Sequence, residues 1–539
     1  MKNIKLSAEK RCDVLVIGSG IAGINAAVSA KENGSSVILV SEGRLFSGSS
    51  FYPGTWGLGL IGPENKKDIP DLINSIETVG CGMAVHEIVE EFVSGIHPAV
   101  ERVRQRGVTL RTANQKNQKE FIPCFDHKHR DWNGLEFNSV KQIFGNLISE
   151  LNITVLENHE VIRLAYEDGS TCGGIFFDGV NLKYISSKAV VLATGGYGSL
   201  FRYHLCTEDV RGTGQALALD LGCELINMEF MQMMPGYIYP APKTVFNEKA
   251  FRYTSITKPD GTALLPAEQL QQVLEVRSGH GPFTSRLISK DVDIEIFKVF
   301  TEDEAGVTIA YSDEIRNNPP EFITTYFDWL KEAKHLTTYD LIHVGIFAHA
   351  ANGGIRIGKD ASTGVAGLFA AGEATGGMHG ADRIGGLSTA NGLVFGAKAG
   401  LSASEYAAKG FRQKESAIIS AKGCSEHTFT SDLQNTMFKH AMIIRTDAGL
   451  RMGLQDVEQI KEALSAVTEE TENAAAIASY RRMVLRLETA ESILKAAMLR
   501  TESRGAHYRA DYPQLDPKQN TRIVINKANG IHAQYEQLI

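Results

Sequence analysis

Residues 12–42 read CDVLVIGSGIAGINAAVSAKENGSSVILVSE. The apolar run 14–17 is short, rich in β-branched residues and followed by glycine, which predicts a buried parallel strand. An alanine-rich segment then continues to Asn33-Gly34, and a second apolar run occupies 37–40. This order predicts a strand–helix–strand unit of the βαβ type.

A glycine-rich turn joins the first strand to the helix. We expect Gly18 to make the tight turn, Gly20 to let the backbone approach a pyrophosphate, and Gly23 to allow close helix–strand packing. Ile21 and Ala22 open the helix, where free N–H groups and a partial positive charge favour phosphate. In this context the motif predicts dinucleotide binding, and a glycine-rich turn without a ligand is the alternative.

The end of the second strand is where an acid commonly binds the ribose of a dinucleotide. Ser41 occupies the strand-end position and Glu42 follows it, so both are candidates. Ser49, Ser50 and Gly57 lie in the glycine-dense stretch that comes next. Such a stretch suits backbone packed closely against a flat ligand, and a flexible surface loop is the alternative.

A second strand-and-glycine segment, 188–196, reads KAVVLATGG. Its apolar part predicts a buried strand that brings Thr194, Gly195 and Gly196 to a sheet edge. In flavoproteins with two dinucleotide-binding domains this strand returns to the nucleotide, whereas an ordinary strand with a Gly-Gly turn is the alternative.

A third segment, 366–399, reads AGLFAAGEATGGMHGADRIGGLSTANGLVFGAKA. Its predicted strand ends at Gly372-Glu373. A glycine-rich loop that includes Ser388 follows, and a small-residue helix is expected from about Thr389. The N-terminal amides of such a helix can stabilise negative charge on a reduced flavin ring.

Composition excludes several function classes. The 539 residues include 55 basic and 63 acidic side chains, and this mild negative charge argues against a nucleic-acid partner. No apolar run approaches the ~18 residues of a membrane span, and the N-terminus has no secretory apolar segment. The seven cysteines are scattered without CxxC spacing, so we expect no disulfide scaffold, iron–sulfur cluster or other metal site within this chain. A reducing, cytoplasmic location is predicted, and the oligomeric state is left open.

Residues 66–111 have the apolar spacing of helices. The polar stretch 111–132, with its cluster of His127, His129 and Arg130, favours a solvated loop over an anion or metal site.

Together the three segments resemble the flavoprotein subunits of fumarate reductase and succinate dehydrogenase, a family that includes L-aspartate oxidase. The stretches 54–62, 228–232 (MEFMQ) and 501–513 (TESRGAHYRADYP) resemble that family too. The resemblance implies an α/β fold with a Rossmann-type two-dinucleotide-binding FAD domain, an inserted α+β capping domain and a C-terminal helical domain. The expected domains are the two parts of the FAD domain at 1–224 and 346–427, the cap at 225–345, the helical domain at 428–515 and a tail at 516–539.

The resemblance also implies site residues. Arg383, in the segment GADRIGG, matches the family's substrate-carboxylate arginine. His349, ahead of Gly353-Gly354, matches a substrate-binding histidine. Glu373 and Ser388 match flavin contacts. The implied chemistry is hydride transfer between flavin N5 and a C–C bond beside a carboxylate, with FAD supplying the hydride step.

The sequence departs from the family at the other end of the substrate site. Met234 stands where the family has a histidine, and with Met231 and Met233 it predicts either a more apolar site or plain core packing. Lys290 aligns with the family's proton-donating arginine, and Arg286 lies four residues earlier. Either of these two cations is the candidate proton carrier, or neither.

The resemblance therefore implies an FAD-dependent oxidoreductase that acts on a CH–CH bond of a carboxylate-bearing, unsaturated substrate. Members of the family with covalent FAD carry a histidine in the loop after the second strand. The loop 46–52 contains none, so the resemblance implies non-covalent FAD. The alternatives are an oxidase like L-aspartate oxidase, an electron-transfer subunit with a separate iron–sulfur partner, and a flavin-binding protein that has lost catalysis.

Overall fold

The computed structural model of the chain describes residues 2–410, 413–424 and 429–537. The helices are α1 Ile21–Glu32, α2 Ile69–Val79, α3 His86–Gln105, α4 Phe137–Glu150, α5 Thr213–Asp220, α6 Ala267–Arg277, α7 Lys290–Glu302, α8 Asp313–Asn317, α9 Glu321–Lys334, α10 Leu387–Ala407, α11 Phe429–Ala441, α12 Asp447–Ala466 and α13 Ala474–Leu499. The strands are β1 Asn3–Ile17, β2 Val37–Val40, β3 Leu58–Gly62, β4 Leu110–Arg111, β5 Asp131–Leu135, β6 Thr154–Leu156, β7 Glu160–Glu167, β8 Ser170–Phe177, β9 Leu182–Leu192, β10 Leu225–Ile226, β11 Met231–Tyr239, β12 Thr254–Thr257, β13 Val307–Tyr311, β14 Ile342–Ala351, β15 Gly354–Ile355, β16 Leu368–Ala370, β17 Ser416–Ser420, β18 Lys422–Gly423, β19 Glu469–Glu470, β20 Ile523–Lys527 and β21 Ile531–Tyr535.

The central sheet has the order β6-β2-β1-β9-β8-β7, with β16 beside β9 and β17 beside β1. Strands β6, β2, β1, β9 and β16 run parallel. The predicted apolar runs 14–17 and 37–40 are neighbours in register, from Val14 opposite Val37 to Ile17 opposite Val40. β1 is longer than predicted because its first residues pair with β17 outside the buried part of the sheet. The parallel part fits the α/β fold class.

Helices α1 and α10 pack against each other through small residues. A Cβ atom on Gly396 would lie 2.5 Å from the carbonyl oxygen of Ala22, and one on Gly400 would lie 2.1 Å from that of Ala26. Only glycine permits this approach of two helix backbones. The contact fixes the N-termini of both helices beside the same end of the sheet, and α10 begins two residues before the predicted Thr389.

The inserted segment forms a separate antiparallel sheet, β11-β14-β13-β12, and also contains helices α6 to α9. This mixture of helices and strands agrees with the expected α+β cap. β14 runs from 342 to 351 and so crosses the predicted domain boundary at 345/346. One strand therefore links the cap to the FAD domain.

The C-terminal region contains α11, α12 and α13, and its tail adds the hairpin β20–β21 to β10. Within the tail, the first strand of this hairpin runs from Ile523 to Lys527. The predicted boundary at 427/428 and the last two residues of the tail lie outside the described residues, and the domain limits stay predictions. None of the described helices is both long and apolar enough to cross a membrane.

Candidate active site

The three glycine-rich segments of the sequence meet in one cavity of about 330 Å³, a volume typical of ligand pockets. Of the predicted cofactor residues, those lining this cavity are Gly18, Gly20, Ile21, Ala22, Ser41, Glu42, Ser49, Ser50, Gly57, Thr194, Gly195, Gly372, Glu373, Ser388 and Thr389. Arg383 and His349 line it too. Segments far apart in sequence are brought together because β1, β9 and β16 are adjacent parallel strands that end at the same sheet edge.

The two remaining predicted cofactor residues, Gly23 and Gly196, pack behind the lining. A Cβ atom on Gly23 would lie 1.7 Å from the carbonyl oxygen of Gly18. A Cβ atom on Gly196 would lie 2.4 Å from a carboxylate oxygen of Glu373. Both glycines therefore hold lining residues in place rather than face the ligand.

Unpaired polar atoms indicate that the cavity is built for a polar ligand. Ser49 Oγ, Thr194 Oγ1, His349 Nδ1, His379 Nδ1 and Asn391 Oδ1 are buried and have no hydrogen-bond partner among the described residues. All five residues line the cavity. Buried polar groups normally have partners, so these atoms fit the groups of a dinucleotide and a polar substrate.

The two candidates for the ribose differ in their surroundings. The Ser41 hydroxyl lies 2.7 Å from that of Ser19 and 3.0 Å from the carbonyl oxygen of Arg44, so it is engaged by the protein. Glu42 forms an ion pair with Arg211 at the cavity wall. Burial, reinforced by the neighbouring Glu160, raises the pKa of Glu42 to about 7, although Arg211 opposes the shift.

Arg383 is held by a side chain of the cap sheet. Its Nε and Nη2 atoms both donate to Gln232 Oε1, at 3.0 and 2.8 Å. Burial lowers the pKa of the guanidinium while Glu373 raises it. Among the described residues, Arg383 is the sole lysine or arginine that lines the cavity. Its charge and planar fork suit a carboxylate.

His349 occupies an irregularity of β14. Opposite it, Gln232 pairs with Ala350 and Met233 pairs with Ala348, so His349 is the extra residue of a β-bulge. A bulge re-aims a side chain, and bulges are common beside active sites. Burial, with the charge of Arg383 as a second cause, lowers the pKa of His349 to about 3. The imidazole is therefore neutral at physiological pH.

The low pKa of His349 predicts a pH-dependent contribution to stability. Because the folded-state pKa lies below the unfolded value of 6.5, the unfolded chain binds the proton first, and stability is lost as pH falls below about 6.5. Between pH 7.5 and pH 5 the wild type should lose about 2 kcal/mol relative to His349→Gln. Denaturation of both proteins at the two pH values measures this difference, and a parallel pH dependence would contradict the assignment.

The two predicted proton carriers do not line the cavity. Arg286 Nε donates to Asp382 Oδ2 at 2.8 Å, and its side chain is 27% exposed. Lys290 begins helix α7. Burial raises the pKa of Asp382 to about 6, although Arg286 opposes this. Arg286 is therefore linked to the loop that carries Arg383 through Asp382, the residue next to Arg383.

Four residues at the site were not identified from the sequence. Gln232 binds Arg383, and His379 lines the cavity four residues before Arg383. Cys124 and Glu248 also line it, with the Cys124 thiol donating to Glu248 Oε1 at 2.8 Å. Burial, with Glu248 nearby, raises the pKa of this thiol to about 12, so it remains protonated. His379 lies within the third glycine-rich segment, 366–399, and this position in the sequence could have identified it as a site residue.

Of the three methionines, Met234 lines the cavity, whereas Met231 and Met233 belong to the main hydrophobic core. Met234 packs instead with a small cluster that includes Tyr52 and Leu205. The described residues contain no group of His, Cys, Asp and Glu that could hold a metal ion.

Comparison with known proteins gives the same assignment along almost the whole chain. The profile of the FAD binding domain matches residues 13–389, and that of the fumarate reductase flavoprotein C-terminal region matches 430–538. A fumarate reductase (CoM/CoB) subunit of Methanothermobacter marburgensis is 26% identical, with 96% of this chain and 97% of that protein covered. L-aspartate oxidase of Mycobacterium bovis is 27% identical, with 97% and 96% covered.

The fold agrees with solved structures as well. Mycobacterium smegmatis Sdh1, solved in complex with UQ1, superposes with a TM-score of 0.79 at 23% identity, covering 98% of this chain and 95% of that one. The chain therefore belongs to the fumarate reductase/succinate dehydrogenase flavoprotein family, whose members are FAD-dependent oxidoreductases.

Proposed function

We propose that the protein reduces the C=C bond of a carboxylate-bearing unsaturated substrate. The observation that carries the proposal is Arg383, a guanidinium fixed by Gln232 in a cavity whose other walls fit FAD. FAD, bound non-covalently, supplies the hydride when reduced. Arg383 binds the substrate carboxylate, which orients the double bond and withdraws electron density from it.

Neutral His349 supports the same end of the substrate through a polar hydrogen bond, because its Nδ1 atom has no partner among the described residues. Reduction adds a hydride to one carbon of the double bond and a proton to the other, so C=C becomes C–C. Glu248 is the ionisable side chain that segment 225–345 contributes to the described lining, and it accepts a hydrogen bond from the Cys124 thiol. We assign proton transfer to this side of the cavity rather than to Arg286 or Lys290, neither of which is among its lining residues.

The capping segment contributes to the site in a second way. Met234, Val245, Glu248, Gly281 and Pro282 line the cavity from the cap. A cap over the substrate excludes water, which protects the hydride step and strengthens the Arg383–carboxylate attraction.

All seven cysteines are free thiols, which fits a reducing compartment, and we propose that the protein is located in the cytoplasm.

Two relatives suggest alternative functions. The L-aspartate oxidase similarity favours an oxidase that releases peroxide. The Methanothermobacter relative is named as one subunit of a fumarate reductase, which favours a flavoprotein that works with another chain. A separate iron–sulfur protein is the candidate for that partner.

Anaerobic photoreduction of the purified yellow protein, followed by mixing with unsaturated acids, tests the proposal. We expect at least one acid to restore the oxidised flavin spectrum and to appear as its saturated product. Peroxide release with an amino acid would favour the oxidase. Co-purification of an iron-containing protein, with no direct turnover of acids, would favour the electron-transfer role.

A further inference from the structure

Among its described lining residues the cavity offers a substrate one cation, although a dicarboxylate would be bound best by two. Three other cations of the cap region, Lys249, Arg277 and Arg286, do not line it. Each is engaged elsewhere: Lys249 donates to the Ile122 carbonyl oxygen at 2.9 Å, Arg277 pairs with Asp293, and Arg286 pairs with Asp382. Among the described lining residues, Arg383 is therefore the one cationic side chain that can pair with a carboxylate.

An apolar and aromatic wall is the second feature of this cavity. Tyr52, Leu205, Met234 and Val245 belong to one buried hydrophobic cluster and all line the cavity, with Trp56 packed against them. The Tyr52 hydroxyl donates to the Lys243 carbonyl oxygen at 2.6 Å, so its polar group is already satisfied. This wall therefore offers a substrate apolar contact. The Tyr52 hydroxyl already donates its hydrogen bond within the protein.

Aromatic side chains of the cap pack behind the wall and support it. Trp56 makes an edge contact with Tyr326 of helix α9, with ring centroids 4.7 Å apart, and its ring centroid lies 6.3 Å from that of Trp329. Met234 is paired on the cap sheet with Phe347, another member of the cluster. Packed aromatic rings of this kind select an apolar group by shape at little entropic cost.

The side chains of Met234 and Glu248 both lie close to Gly281. A Cβ atom built on Gly281 would lie 3.3 Å from the Met234 methyl carbon and 3.7 Å from the Glu248 carboxyl group. A second substrate carboxylate at this place would meet a thioether and a carboxyl group instead of a cation. Burying an unpaired charge there would be strongly unfavourable.

We infer that the substrate is a monocarboxylic acid whose double bond carries an apolar alkyl or aryl group on the side away from the carboxylate. Arg383 binds the carboxylate, and the wall of Tyr52, Trp56, Leu205, Met234 and Val245 binds the apolar group. This inference rests on the proposed function and narrows its substrate class from unsaturated acids in general to apolar 2-enoic acids.

Binding to the oxidised holoprotein tests the inference without turnover. Fumarate, crotonate and trans-cinnamate are titrated while the flavin absorption spectrum is followed. We expect trans-cinnamate to bind at least about tenfold more tightly than fumarate, with crotonate between them. The phenyl group of cinnamate makes apolar contact with the wall, where fumarate would have to bury its second carboxylate without a cation. The photoreduced protein should be reoxidised in the same order of preference.

A matched pair of variants locates the selectivity. Met234→His places a polar ring in the apolar wall and should reduce the cinnamate-to-fumarate affinity ratio by about tenfold. Met452→His makes the same change at an exposed position of α12 and should leave the ratio unchanged.

Three results would overturn the inference. Tighter binding and faster reoxidation by fumarate would do so while leaving the proposed function in place. An unaltered affinity ratio in Met234→His would show that this wall does not select the substrate. Failure of every acid both to bind and to reoxidise the flavin would remove the proposed function together with the inference.

Discussion

Replacing Arg383 with alanine is expected to reduce kcat/KM for any unsaturated acid by at least about a thousandfold, or about 4 kcal/mol. The substitution removes the one cationic group among the described lining residues. It also removes the two N–H groups that donate hydrogen bonds to Gln232 Oε1. The substrate carboxylate then has no cationic partner among these residues. If Glu373 is ionised, its negative charge repels the substrate carboxylate.

The Arg383→Ala protein should still fold and bind FAD. Burial lowers the pKa of Arg383, which means that its charge is costly to hold in the folded state. The two side-chain hydrogen bonds of Arg383 go to Gln232 rather than to the Gly18 turn or to the first turn of α10, which begins at Leu387. Absorbance at the flavin band relative to protein, together with the melting temperature, measures this.

Two comparisons make the Arg383 experiment specific. Arg383→Lys keeps the charge but loses the planar fork that binds two oxygens, so an intermediate loss is expected. Arg451→Ala, at an exposed site on α12, should retain full activity. Full turnover by Arg383→Ala would refute the site assignment, and a colourless protein would mean that Arg383 holds the fold or the cofactor instead.

The cofactor end of the cavity could be predicted because its determinants are local. The strand 37–40 has the predicted bounds, and Gly18, Thr194 and Gly372 each follow a buried strand of the same parallel sheet. A strand, a glycine turn and a helix within about 30 residues fix their own geometry. The three segments therefore converge as the sequence indicated.

The substrate end could not be predicted to the same extent because it is assembled by long-range contacts. Arg383 and Gln232 are 151 positions apart, and Cys124 and Glu248 are 124 positions apart. Nothing in a single sequence indicates such pairs. The stretch 111–132 was interpreted as a solvated loop, yet Cys124 within it is buried against the cavity.

The candidate proton carriers illustrate a related limit. Lys290 was selected because it aligns with the family's proton-donating arginine, and Arg286 because it lies four residues earlier. The helix begins only at Lys290, so the preceding turns direct Arg286 toward Asp382. A motif position specifies a residue type, but the loop conformation around it decides what the side chain reaches.

Replacing Gly23 with alanine is expected to have the largest effect on the whole molecule. The added Cβ atom would lie 1.7 Å from the Gly18 carbonyl oxygen and 3.3 Å from the Ala193 Cβ atom. The obstacle is backbone, and α1 cannot retreat because Gly396 of α10 already lies against Ala22. We expect at least about 3 kcal/mol of destabilisation and loss of FAD, since the phosphate-binding turn must open.

Gly145→Ala is the matched control, because it is the same substitution inside helix α4. There the new Cβ atom meets only the Phe46 ring, at 3.8 Å, which is ordinary van der Waals contact. Alanine is the better helix former by about 1 kcal/mol, so this variant should be unchanged or more stable. The flavin content and melting temperature of both variants separate the two effects. If Gly23→Ala is purified as a yellow protein with wild-type stability, α1 and the Gly18 turn are not packed as described. The cofactor site assigned from that contact would then be wrong.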